Sequence, residues 1–114
     1  MFEDDQTRIH HMLDAAQEAV AFVHDRDRSS LASDRILSLA LVKSIEIIGE
    51  AASRVTAARR EEISDVPWAK IIGMRNRLIH AYFDIELDLV WVTVTKDLPP
   101  LIEALGRALS RGNT

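Results

Sequence analysis

Between Pro67 and Phe83 the chain carries Arg75-Asn76-Arg77-Leu78-Ile79-His80-Ala81-Tyr82, which brings together two guanidiniums, an amide, an imidazole and a phenol with no acidic residue. The contrast is informative because the chain as a whole is acidic, with a formal net charge of -4. Arginine is a fixed cation suited to phosphate oxygens, and histidine is the side chain that takes or gives a proton near neutral pH. Residues of these types, so close together, point to a site directed at phosphate. The net negative charge argues against nonspecific coating of nucleic acid, which rests on neutralising many phosphates, so any such contact must be local.

The elements that position these groups read as helices. Ile9, Leu13, Ala16, Val20 and Val23 step by three or four, predicting an amphipathic helix from about Asp5 to His24. A polar connection, Asp25-Arg26-Asp27-Arg28-Ser29-Ser30, leads to Ser33-Asp34, an N-cap for a second helix that reaches about Ala57. Its apolar arc includes Leu37, Leu41, Ile45, Ile48, Ala52 and Val55, with Ile36, Ala40, Ile47 and Ala51 beside them. An arc this wide needs partners on more than one side, so this helix is central or faces a second subunit. Asp65 and Pro67 mark the start of a third helix that carries the motif. A fourth stripe runs from Leu87 to Leu109, with Pro99-Pro100 predicting a kink or a fresh start capped by Asp97. No strand-like alternation competes. Short connections predict antiparallel neighbours, hence an all-α, up-and-down bundle.

Length and composition fit one domain over residues 1–114, with 47% hydrophobic residues to fill a core. The absence of cysteine excludes disulfides and thiolate metal sites and suits a reducing cytoplasm. The acidic N-terminus, Met1-Phe2-Glu3-Asp4-Asp5, is unlike a signal peptide, and no apolar run is long enough to span a membrane.

On a helical wheel Arg75 shares a face with Trp68, Ile71, Ile72, Ile79 and Tyr82, which predicts an arginine aimed at an apolar seam, costly unless paired or bound to an anion. Asn76 and His80, four apart, stack on one face. Arg75 and His80 are five apart, about 140° around the axis, so one straight helix cannot aim both at one atom. Either the helix ends near His80 or two copies of the chain combine. Elsewhere, adjacent His10 and His11 diverge by about 100° and read as surface residues rather than a metal site. Lys43, Glu46, Glu50 and Arg54 form a polar line expected to hold intrahelical ion pairs; the alternative is that Glu46 or Lys43 reaches Arg75 or a substrate. Gly49 and Gly73 each cost a helix interior about 1 kcal/mol, which predicts close backbone approach at both. Trp68 and Trp91 read as core residues.

Three blocks carry a family resemblance: Ile45-Glu46-Ile47-Ile48-Gly49-Glu50-Ala51, then Pro67-Trp68 through Phe83-Asp84, then Asp88-Leu89-Val90-Trp91 into Asp97-Leu98-Pro99-Pro100. In this order, with the spacing Arg, polar residue, three residues, His, one residue, Tyr, the chain from about Asp34 to about Leu105 resembles the HEPN superfamily. The closest likeness is to the HepT-like ribonuclease toxins paired with a small nucleotidyltransferase. That resemblance implies a HEPN-like bundle forming a twofold homodimer, with two copies of the motif in one cleft that cleaves RNA without metal or other cofactor. It implies catalytic roles for Arg75 and His80 and supporting roles for Asn76 and Tyr82. It further implies a nucleotidyltransferase antitoxin that transfers AMP from ATP to the Tyr82 hydroxyl. A noncatalytic HEPN module that binds nucleotide or a partner protein through the same cleft is the rival expectation. An arginine and a histidine at this spacing alone more often form a satisfied buried network; the flanking blocks favour catalysis.

Overall fold

Each of the long apolar stripes has become a helix, and the caps account for where most of them begin. The computed structural model describes residues 4–81 and 84–112, with the side chains of His80 and Ala81 outside that description. Helix α1 (Asp5–Phe22) starts where the Asp4 carboxylate accepts the Thr7 N–H at 2.8 Å, and it buries Ile9, Met12, Ala16 and Ala19 along one face. A single-turn α2 (Ser29–Ser33) occupies part of the expected polar connection, and Ser38 Oγ ties it to the next helix by donating to Leu31 O at 2.6 Å. Helix α3 (Arg35–Ser53) begins at the expected cap, Asp34, which accepts the Leu37 N–H at 3.1 Å. It ends earlier than predicted, because Thr56 is extended and caps a separate short helix, α4 (Ala57–Glu62).

Helix α5 (Trp68–Leu78) is followed by a two-stranded antiparallel ribbon, β1 (Ile79–Ala81) and β2 (Asp84–Ile85), which the sequence pattern did not predict. Helix α6 (Leu87–Val92) then runs through a π-helical turn, Thr93–Asp97, into α7 (Leu98–Gly112). In that wider turn the Leu98 N–H reaches five residues back to Thr93 O, and Pro99 and Pro100 fall in the first turn of α7, where a missing N–H costs least. Asp97 faces Lys70 on α5, its carboxylate 3.6 Å from Nζ.

Contacts at one end of the molecule give the helix directions. Thr56, just past the end of α3, donates its N–H and hydroxyl to Asp5 at the start of α1, at 3.0 and 2.7 Å. Arg107 near the end of α7 binds Asp65 just before α5 at 2.9 Å. Thus α1 and α5 start, and α3 and α7 finish, at the same end, giving the expected up-and-down bundle. Helix α3 lies between α1 and α5, and α7 packs on α1. Met12, Leu41, Ile45, Ile48, Ile71, Met74, Leu98 and Leu105 are fully buried between them. The α3–α5 junction is locked by Arg60, whose guanidinium bonds Ala52 O and Ser53 O and lies 6.0 Å from the centre of the Trp68 ring. Trp68 is only half-buried, and its Nε1 donates to Arg60 O and Ile63 O. Among the described residues no helix is long and apolar enough to cross a membrane.

The capping carboxylates make the fold acid-sensitive. The Leu37 N–H, and after it the Arg26 guanidinium, hold the Asp34 carboxyl below its ordinary value; the Thr7 N–H does the same for Asp4, and the Arg107 guanidinium for Asp65. A carboxyl whose folded pKa is depressed contributes stability above its unfolded pKa and loses it as pH falls through the folded value. Thermal unfolding should therefore show a falling midpoint below about pH 4. The deficit of Asp34→Ala relative to the unsubstituted chain should be larger at neutral pH than in acid, where the cap is already protonated.

Candidate functional site

The site is built at the crossing of α3 and α5. Gly49 on α3 has no Cβ, and one placed there would lie 3.4 Å from Ile71 O and 3.5 Å from Ile72 O on α5. The crossing is antiparallel, so one turn back along α3 and one turn on along α5 set Glu46 opposite Arg75. Their side chains meet, with Arg75 Nε 3.1 Å from Glu46 Oε1. Glu46 therefore reaches across helices, while Glu50 makes the intrahelical pair with Arg54 at 2.7 Å.

Arg75 is not turned into an apolar seam, as its helical face suggested. Its side chain is 51% exposed, because the α3 crossing passes beside it and leaves open space on both sides. Among the described residues its one hydrogen bond is through Nε, and neither terminal nitrogen has a partner there. Arg77 turns the other way and donates to Lys70 O at 3.1 Å, which separates the two guanidiniums of the motif. Asn76 is exposed and shares a groove of about 190 Å³ with Arg75, Glu46, Gly49, Glu50, Ser53 and Ile72.

On the far side of Glu46 a larger cleft of about 420 Å³ opens between α1, α3 and α5. It is lined by Arg8 and His11 from α1, by Lys43, Glu46, Ile47, Glu50 and Ala51 from α3, and by Arg75. His11 is exposed, as its position predicts, yet it belongs to the same cleft as Arg75. Arg8 and His11, one turn apart on the polar face of α1, carry no sequence signal that links them to a motif more than sixty residues away.

Helix α5 stops at Leu78, so His80 is not four residues along a helix from Asn76. Ile79 adopts an extended conformation (φ -123°, ψ 111°), packing partly buried against the core together with Ile85. A β-branched and aromatic run favours this pleated geometry over another helical turn. Ile79 pairs with Ile85 and Ala81 with Asp84, so the register slips by one residue at His80. The His80 side chain and all of Tyr82 lie outside the described residues. Gly73 also differs from expectation: a Cβ there would meet nothing within 4 Å. Among the described residues no cluster of three or more His, Cys, Asp or Glu side chains could hold a metal ion.

The family described as Ribonuclease HepT-like matches residues 12–108 of the chain. The chain is 34% identical over 103 residues to "Putative RNase TTE0752" of Caldanaerobacter subterraneus subsp. tengcongensis, covering 90% of this chain and 92% of the relative. It is 33% identical over 93 residues to "Putative RNase MJ1380" of Methanocaldococcus jannaschii, covering 82% and 85%. Against "Probable ribonuclease HepT" of Thermococcus cleftensis it is 35% identical over 68 residues, covering 60% and 62%. No solved structure is a significant match.

If the crossing rather than the ion pair holds the helices together, substitutions at the two positions should separate in urea unfolding. Glu46→Gln, which breaks an exposed pair, should change stability by less than about 1 kcal/mol. Gly49→Ala fits the space and should be neutral or stabilising by up to about 1 kcal/mol. Gly49→Leu must push α5 away and should cost about 2 kcal/mol. A larger loss for Glu46→Gln than for Gly49→Leu would reverse the assignment.

Proposed function

The chain belongs to the HepT-like ribonuclease family, and from that premise we propose that it is the toxin of a toxin–antitoxin pair, a cytoplasmic, single-domain, metal-independent endoribonuclease acting through a dimer cleft. The observation that carries this reading is Arg75: it is held through Nε by Glu46 at the rim of an open cleft, with both terminal nitrogens left for an anion. A guanidinium so placed can grip two phosphoryl oxygens at once.

In the proposed reaction the ribose 2'-OH attacks the adjacent phosphorus and the 5'-oxygen of the next nucleotide leaves, giving a 2',3'-cyclic phosphate and a free 5'-hydroxyl. His80 moves the proton, Arg75 stabilises the charge on the phosphoryl oxygens, Asn76 positions the phosphate and Tyr82 lines the cleft. Two features support a twofold dimer. Ile36 on α3 is 81% exposed, and Leu39 of α3 and Leu89 and Val92 of α6 are exposed as well. Gly73 pays the helix-interior cost of glycine with open space where its Cβ would be, as expected if a second α5 approaches there.

Purified protein should cleave RNA but not DNA, with chelator present, and leave cyclic phosphate ends. Arg75→Ala and His80→Ala should each abolish cleavage in a folded protein, and Arg75→Lys should recover little. Light scattering should give about twice the chain mass of 12.8 kDa. Gly73→Leu should leave folded monomers that do not cleave. A monomer that cleaves RNA, or an active His80→Ala, would sink the composite site.

The proposed antitoxin is a nucleotidyltransferase that moves AMP from ATP to the Tyr82 hydroxyl, releasing pyrophosphate. The added phosphodiester would compete with RNA for Arg75. Mass spectrometry after coexpression with the cognate nucleotidyltransferase should show AMP on the Tyr82 peptide, and Tyr82→Phe should escape both modification and silencing. Silencing of an active Tyr82→Phe protein would mean neutralisation by binding alone.

A further inference from the structure

The larger cleft extends well beyond Arg75, and its composition is unlike that of the acidic chain around it. Three fixed cations, Arg8, Lys43 and Arg75, and the His11 imidazole line it against two carboxylates, Glu46 and Glu50. Both carboxylates already have guanidinium partners, Glu46 in Arg75 and Glu50 in Arg54. Lys43 is exposed, and among the described residues it enters no ion pair. Intrahelical pairing, the expected fate of this lysine, is absent because Glu46 is drawn across to α5.

We propose that Arg8, His11 and Lys43 form a second phosphate subsite, which grips the RNA backbone flanking the bond that is cut. This deepens the ribonuclease reading and rests on it for the identity of the strand. Lys43 lies about 4.5 Å along the α3 axis from Glu46, the residue that holds Arg75, a displacement comparable to one nucleotide step. Arg8 and His11, one turn apart on α1, form the opposite wall. The apolar Ile47 and Ala51 line the same cleft and can accept a sugar or base edge. With three fixed cations against two carboxylates the lining carries a formal charge of +1, in a chain whose net charge is -4.

The test uses the full chain and a single-stranded RNA with 2'-O-methyl ribose throughout, which lacks the nucleophile and cannot be cut. Its binding is followed by fluorescence anisotropy from 50 to 200 mM salt, a range chosen to resolve counterion release at roughly the sensitivity expected for single strands. Lys43→Gln and Arg8→Gln should each weaken binding several-fold and flatten the slope of log affinity against log salt by about 0.7. His11→Ala should weaken binding too, Lys43→Arg should restore the slope, and Lys96→Gln, outside the cleft, should leave it unchanged. With cleavable RNA, Lys43→Gln should raise KM several-fold while kcat stays within about twofold. An unchanged slope and KM in Lys43→Gln, with the parent protein cleaving RNA normally, would overturn the subsite and leave the ribonuclease reading intact. Salt-dependent binding that needs Lys43 in a protein that cleaves no RNA would uphold the subsite and overturn the reaction. A parent protein that binds the oligonucleotide without salt dependence overturns the subsite as well.

Discussion

Everything at the site depends on how closely α3 and α5 approach at Gly49. Because a Cβ at this position would already touch Ile71 O and Ile72 O, the two backbones cross with almost no side chain between them. That distance is short enough for Glu46 and Arg75, each one turn away, to meet at 3.1 Å. A wider crossing would leave Arg75 free to swing among rotamers, and a long side chain loses about 2 kcal/mol of rotamer entropy when fixed. The carboxylate removes part of that freedom. The junction above the crossing, where Arg60 closes the carbonyl end of α3 and Trp68 anchors the start of α5, holds the register of the two helices.

The pair itself is exposed and adds little stability. Its value is orientational: one nitrogen of the guanidinium is occupied, and the side chain lines the cleft. A carboxylate beside the cation also lowers the local positive charge, which the cleft offsets with Lys43 one turn along α3 and Arg8 on the opposite wall. The cleft thus combines a held cation with others further along, the arrangement on which the proposed second phosphate subsite rests.

The second half of the motif follows a different physical rule. Helix α5 does not continue through His80, since Ile79 and Ile85 gain more by packing against the core as a ribbon than Ile79 would by adding one helical residue. Because the helix ends at Leu78, helical spacing does not fix the angle between His80 and Arg75. Before α7 the helical hydrogen bonding widens to a π-helical turn at Thr93–Asp97, and Pro99 and Pro100 follow it in the first turn of α7.

By itself the sequence determined the helical stripes, the cap at Asp34 and the up-and-down order, because helical periodicity and capping act within a few residues of one another, while the structure chose the central place of α3 over a face for a second subunit. The Arg75-to-His80 spacing was equally plain, since it needs only residue types in a row. The tertiary structure alone decided whether Arg75 faced an apolar seam or a cleft, which glutamate it took as partner, and that Arg8 and His11 share its cleft. These depend on the distance between helices remote in sequence. The wheel of a single helix shows which residues share a face but not what stands opposite that face. The end of α5 at Leu78 was undecided for the same reason: the local preference of Ile79 for extended geometry is too weak to end a helix alone, and the core it packs against decides.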